Sequence, residues 1–161
     1  MKKFFKEVYP YLIIILVVVL IRTFLFTPIR VSGDSMNPTL KNGDIMILNK
    51  VAKIDRFDIV VIRSKKINEV LIKRVIALPG ETIEVNNGVI YINGKKLKDK
   101  YGSGVTSDVG KMKVPEGEYF VMGDNRVVSA DSRMFGTFSK KEIKGTTRFV
   151  LFPFKRVGMK K

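Results

Sequence analysis

Ser35 stands in the segment Ser32-Gly33-Asp34-Ser35-Met36-Asn37-Pro38-Thr39-Leu40. Glycine on one side and Asn-Pro on the other predict a tight, irregular turn. Such a turn exposes a hydroxyl together with neighbouring backbone N–H groups, as a nucleophile with an oxyanion hole requires. Lys73 is the second candidate, in the strand-like run over residues 69–78. Alternation places Leu71, Lys73, Val75 and Ala77 on one face and Arg74 on the other. A lysine among apolar groups loses charge stability, and its pKa falls. A shift of three units corresponds to about 4 kcal/mol. The neutral amine can then deprotonate a serine. The third segment, residues 123–136, is dense in polar groups yet follows a strand-like run. Two acid–base pairs are available within it or with Arg74, which suits a rigid turn that organises other segments. Taken singly, each has a plainer reading. These are an ordinary loop around Ser35, a sheet-edge lysine whose head reaches water, and a solvent loop over 123–136.

Composition narrows the alternatives. The 161 residues include no His, no Cys and no Trp. A Ser-His-Asp triad, a Cys nucleophile, a disulfide and a Cys/His zinc site are therefore excluded. Any general base must be Asp, Glu, Lys or Tyr. Lys and Arg number 30 against 15 Asp and Glu, a net charge of +15. That charge suits nucleic acid, an anionic membrane surface or a solvated lysine-rich surface. The lysines are scattered in ones and twos, and RNA-binding aromatic strand signatures are missing. Nucleic acid is therefore not an expected partner.

The elements that must position these residues begin with an apolar N-terminus. Residues 1–9 are basic, and residues 11–21 form an unbroken apolar run. Arg22 and Thr23 interrupt it before Phe24-Leu25-Phe26, and Thr27-Pro28 ends it. Residues 11–27 would span roughly 25 Å as a helix, near the lower limit for a bilayer. Arg22 is close enough to the end to snorkel. Lys2, Lys3 and Lys6 favour a cytoplasmic N-terminus, with the rest of the chain outside. A cleaved signal peptide is the competing reading. The expected division is a cytoplasmic N-terminus over 1–9, a transmembrane anchor over 10–27 and a catalytic domain over 28–161.

Beyond Pro28 short β-like runs alternate with turn signals. Strands are expected over 29–32, 45–48, 59–63, 70–78, 82–85, 89–92, 119–122 and 148–152. Asn86-Asn87-Gly88 predicts a hairpin turn and Asn93-Gly94 another, within a hairpin-rich insertion over 82–118. Ser139 and Glu142 have the spacing of a single capped turn. No helical period appears outside the anchor. The expected fold is mainly β, an antiparallel domain preceded by one transmembrane helix.

Together these segments resemble the type I signal peptidases, membrane-anchored endopeptidases with a Ser/Lys dyad. Four blocks match in order: residues 32–40 (Ser-Met-x-Pro-Thr), 43–48, 73–81 (Lys-Arg-Val-Ile-x-Leu-Pro-Gly-acid) and 123–136 (Gly-Asp-Asn-Arg … Ser-x-Asp-Ser-Arg). The resemblance implies the β fold of that family. It assigns Ser35 as nucleophile, with its backbone N–H donating to the oxyanion, and Lys73 as general base and acid. Ser129 would position the Lys73 amine. Asp131 with Arg133, and Asp124 with Arg74, would pair to brace the site. Met36 and Leu40 fall where the family shapes a small P1 pocket. Ile29 and Val31 fall on the strand lining P1 and P3, and Leu71 lies on the opposite substrate-binding segment. Gly33 stands where some members carry a second oxyanion donor, Glu81 replaces the more usual Asp, and Val127 replaces a common polar residue. The short span between Glu81 and Gly123 leaves no room for a large second domain, as in minimal Gram-positive members.

The implied activity is removal of signal peptides from exported preproteins at small-x-small sites, on the outer face of the cytoplasmic membrane. No metal and no other cofactor is implied. The expected partners are preprotein signal peptides and membrane lipids, and the expected state is a monomer. Two alternatives remain open here: a self-cleaving Ser/Lys repressor-type protease, and a membrane-tethered binding module.

Overall fold

The structure, a computed structural model, describes residues 2–160. Helix α1 (Lys2–Phe24) carries the apolar run. None of the 18 residues from Glu7 to Phe24 is buried against the rest of the protein. A helix apolar on every side and covered by nothing lacks the polar face that water demands. By length and composition it can cross a membrane. The side chains of Lys2, Lys3 and Lys6, on which the expected orientation rests, lie outside the described residues.

Two antiparallel sheets follow. The larger contains β1 (Phe26–Arg30), β2 (Ile45–Asn49), β3 (Ile59–Ser64), β4 (Glu69–Ala77), β9 (Glu118–Met122), β10 (Phe138–Ser139) and β11 (Ile143–Phe152), in the order β1-β2-β11-β3-β4-β9-β10. Strand β12 (Gly158–Met159) pairs with β11. The smaller sheet has the order β7-β6-β5-β8, formed by β5 (Thr82–Asn86), β6 (Val89–Ile92), β7 (Lys95–Lys96) and β8 (Val109–Lys113). Asn87 and Asn93 adopt positive φ of 49° and 51°, the left-handed conformation that a two-residue hairpin turn needs. Ile83, Val85, Ile90 and Ile92 of the small sheet pack on Ile76, Phe120 and Met122 of the large one, in one core cluster.

Four sequence expectations are corrected. The first strand runs over Phe26–Arg30 rather than 29–32, and the helix stops at Phe24 rather than at 27. Phe26 and Thr27 lie opposite Asn49 and Leu48, so the ladder claims them. Residues 148–152 are the end of a ten-residue strand, β11, whose register against β2 and β3 shifts at several points. Those irregularities break the simple alternation that a longer strand would have shown. A one-turn helix, α2 (Ser132–Phe135), is present where no helix was expected, capped by the Asp131 carboxylate on the Arg133 N–H. Four residues are too few to leave a period.

One feature of the large sheet positions the site. Along β4, residues Glu69–Arg74 pair with β3 on one side. On the other side β9 pairs only with Arg74, Val75 and Ala77. The backbone edge of residues 69–73 is therefore left open. Strand β1, at the far end of the sheet order, pairs with β2 alone.

Candidate active site

Ser35 is carried on the loop between β1 and β2. The base of that loop is closed by Val31 N–H donating to the Asp44 carbonyl (2.8 Å) and Gly43 N–H donating to the Val31 carbonyl (2.9 Å). Val31, Met36 and Leu40 are buried with Met46, Ile59 and Val150. Arg156 adds a bidentate grip on the Asp44 carboxylate and a bond to the Thr39 carbonyl. The apolar residues on both sides of Ser35 thus sink into the core and leave the half-buried hydroxyl at the surface of a fixed loop.

Lys73 arrives from β4, only 3 % exposed. Its Nζ lies 2.8 Å from the Ser35 Oγ. Burial pushes the amine below the ordinary lysine value of 10.5; Asp131 opposes that shift and Arg133 adds to it. The arrangement joins a hydroxyl and an amine biased toward its neutral, proton-accepting form.

Lys73 and Arg74 face opposite ways, yet both faces of β4 are covered here. Arg74 is fully buried and donates to both Asp124 oxygens, at 2.7 Å and 2.6 Å. It also bonds the Phe57 carbonyl at 2.8 Å and lies 3.8 Å from the Tyr101 ring centroid. Arg133 grips Asp131 in the same bidentate way, at 2.9 Å and 2.8 Å. Burial alone would raise the Asp131 carboxyl, but Arg133 and the Gly123 N–H outweigh it and hold the pKa below the usual 3.8.

The expected link from Ser129 to Lys73 is not formed: the Ser129 hydroxyl is buried without a hydrogen-bond partner. Lys73 points its amine at Ser35 instead. Gly123 explains how close these groups come. A Cβ there would lie 2.2 Å from the Ser129 Oγ and 2.4 Å from the Ser35 carbonyl oxygen. Only glycine lets the segment after β9 press against the serine loop. The contact is fixed by Asn125 N–H donating to the Ser35 carbonyl at 3.0 Å.

A groove of about 740 Å³ opens over the pair. Its walls are Ser32–Ser35 and Asn37 on one side, the open edge 69–73 on another, and Asn125, Val128 and Ala130 on the third. Leu71, which the resemblance puts on the substrate-binding segment, lines it. Ile29, Val31, Met36 and Leu40 do not: they pack in and around the core cluster behind the serine loop. Val31, Met36 and Leu40 are buried there and Ile29 partly so, which helps to fix the loop. Asn125, Val128 and Ala130 were missed; Asn125 bonds Ser35 through its backbone, which residue type does not reveal. Among the described residues, no group of acidic side chains is placed to hold a metal ion.

The signal peptidase (peptidase S26) family model matches residues 4–152. A signal peptidase I of Bacillus licheniformis is 42 % identical, covering 95 % of this chain and 91 % of its own length. Signal peptidase I S of Bacillus subtilis is 44 % identical, covering 88 % and 85 %. The crystal structure of a signal peptidase I from Enterococcus faecalis superposes with a TM-score of 0.55 at 36 % identity, over 60 % of this chain and 97 % of that one. With matches of this extent, in sequence and in fold, the chain belongs to the signal peptidase family S26 and is a serine peptidase.

Proposed function

We propose that the chain is a membrane-anchored endopeptidase that removes signal peptides from exported preproteins, with Ser35 as nucleophile and Lys73 as general base. The observation that carries this reading is the 2.8 Å approach of a buried, pKa-lowered amine to a serine hydroxyl at the floor of an open groove. The neutral Lys73 amine accepts the Ser35 proton as Oγ attacks the scissile carbonyl. The Ser35 N–H donates to the developing oxyanion. The Lys73 ammonium then returns the proton to the leaving amine, and the neutral amine activates the water that hydrolyses the acyl-enzyme. Asp131–Arg133 and Asp124–Arg74 brace the segments that hold the pair.

The substrate binds extended, as an added strand along the open edge of β4, with Ser32 and Gly33 across the groove. Met36 is packed into the core, so no deep side pocket opens beside Ser35. That favours small residues such as Ala around the cleaved bond. Helix α1 anchors the domain as a single pass, N-terminus inside, with membrane lipid around it. Every catalytic group comes from one chain, which suits a monomer. The test is to incubate the full chain in detergent with a preprotein and read the new N-terminus. Cleavage after a small-x-small site, lost in Ser35→Ala, is the expected result; cleavage surviving that substitution overturns the reading.

A further inference from the structure

We propose that residues 99–106, a strap from the small sheet, position the catalytic pair from behind. The proposal rests on the Ser35–Lys73 assignment. The strap reaches both halves of the pair through two arginines, Arg74 and Arg126. Tyr101 lays its ring on the Arg74 guanidinium, centroid to Cζ 3.8 Å, and Arg74 is the chain neighbour of Lys73. Arg126 is the chain neighbour of Asn125, whose N–H holds the Ser35 carbonyl at 3.0 Å.

Arg126 is 4 % exposed, and the strap supplies most of its partners. Its guanidinium pairs with the Asp99 carboxylate and donates to the Thr106 hydroxyl at 3.0 Å. Its Nε donates to the Gly123 carbonyl at 3.1 Å, on the residue that touches both Ser35 and Ser129. Gly102 sits so near the guanidinium that a Cβ would lie 2.4 Å from Cζ. The backbones are joined as well. Ser103 N–H donates to the Asp124 carbonyl at 2.7 Å, and Arg126 N–H donates to the Ser103 carbonyl at 2.9 Å.

None of the strap residues lines the groove, and none hydrogen-bonds to Ser35 or Lys73. Yet the loop that receives the Ser35 carbonyl is held on its far side by Asp99, Gly102, Ser103 and Thr106. A displaced loop moves the serine relative to the amine, and small displacements in a proton-transfer geometry are costly. Asp99, Tyr101 and Arg126 are therefore positioning residues for the peptidase reaction.

The test uses the full chain in detergent micelles and a soluble peptide with an Ala-x-Ala site. Asp99→Asn removes the charge of the pair without changing shape. Tyr101→Leu removes the ring over Arg74 and keeps an apolar contact. Ile83→Val thins the core of the same sheet at a position outside the cavity that the strap lines, and shows what reduced stability alone does. Turnover is measured per folded molecule, well below each melting temperature. Both strap variants should lose about ten-fold or more in kcat with KM nearly unchanged. The acid limb of the pH profile should stay in place, because the groups that shift Lys73 (its own burial, Asp131 and Arg133) are untouched. Ile83→Val should keep kcat. Wild-type kcat in both strap variants overturns the proposal. So does failure of both to fold, since the strap would then be a stability element. Ser35→Ala and Lys73→Ala run alongside: activity remaining in either overturns the catalytic assignment rather than the strap.

Discussion

As the proposed base, Lys73 should have two separable effects, on rate and on stability. With Lys73 as general base the amine must be neutral, so kcat/KM should rise with pH through a limb below 10.5, the ordinary lysine value. A profile flat across that range, with chemistry rate-limiting, would rule out a lysine base. Lys73→Ala should lower kcat/KM by about 10⁴-fold or more, as for other activated nucleophiles stripped of their base. Lys73→Arg should be as inactive, because a guanidinium does not deprotonate in this range. Stability moves the other way. The folded pKa is depressed, so the unfolded chain binds the proton more tightly and folding is penalised as pH falls from the unfolded value to the folded one. Below the folded value the penalty is complete. Lys73→Met should therefore raise the melting temperature at neutral pH, and the gain should shrink toward pH 10.5. A constant gain across that interval would show that burial does not strain the ammonium. Ser129 offers a cleaner contrast. Its hydroxyl has no partner to lose. Ser129→Ala should leave the melting temperature unchanged or raise it, and a fall of several degrees would reveal a bond that the geometry lacks.

At the scale of elements, the segment after β9 depends on two buried bidentate ion pairs. Arg74→Met strands the Asp124 carboxylate at 0 % exposure, and losing one partner of such a pair costs about 3–5 kcal/mol. Urea unfolding should show that loss, and Arg74→Met with Asp124→Leu should recover part of it. A double variant no better than the single one would mean the buried charge is not the main penalty. The pair Asp131–Arg133 gives an acid signature. Its carboxyl is held below 3.8, so its contribution is complete above that value and is lost as pH falls through the lower folded pKa. Asp131→Asn should flatten that part of the stability curve. These elements were unequally legible in the sequence. The polar density of 123–136 marked a rigid organising turn, and the Asn-Gly signals gave both hairpins of the small sheet. The partial pairing of β4 did not follow from the residue pattern, because an open edge is decided by where β9 stops; only the resemblance suggested that residues 69–73 take an added strand. The alternation rule placed Lys73 and Arg74 on opposite faces but could not tell that both are buried. Met36 and Leu40 carry the same apolar character whether they wall a groove or fill a core.

For the whole molecule, the question is how much of the domain depends on the anchor. Helix α1 buries nothing against the sheets from Glu7 to Phe24. Its junction is short: Lys50 N–H donates to the Leu25 carbonyl at 3.0 Å, and Lys50 Nζ donates to the Thr23 carbonyl at 2.8 Å. From Phe26 onward the chain belongs to the sheet, with five residues of β1 opposite Asn49 to Ile45 of β2. Residues 1–24 should thus be removable. The remaining chain should fold and cleave a soluble Ala-x-Ala peptide with kcat close to that of the full chain. Its cleavage of a membrane-inserted preprotein should be slower, because the anchor no longer holds enzyme and substrate on one surface at high effective concentration. Removing residues 1–30 is a different operation. It strips β1 from β2 and cuts directly before Val31, whose backbone closes the base of the serine loop. That fragment should melt at lower temperature and lose turnover on the soluble peptide as well. Circular dichroism melts and peptide kinetics on the two fragments separate the cases. A 25–161 fragment that folds but cleaves nothing would give the helix a catalytic part. A 31–161 fragment as active as 25–161 would show that β1 does not set the position of Ser35.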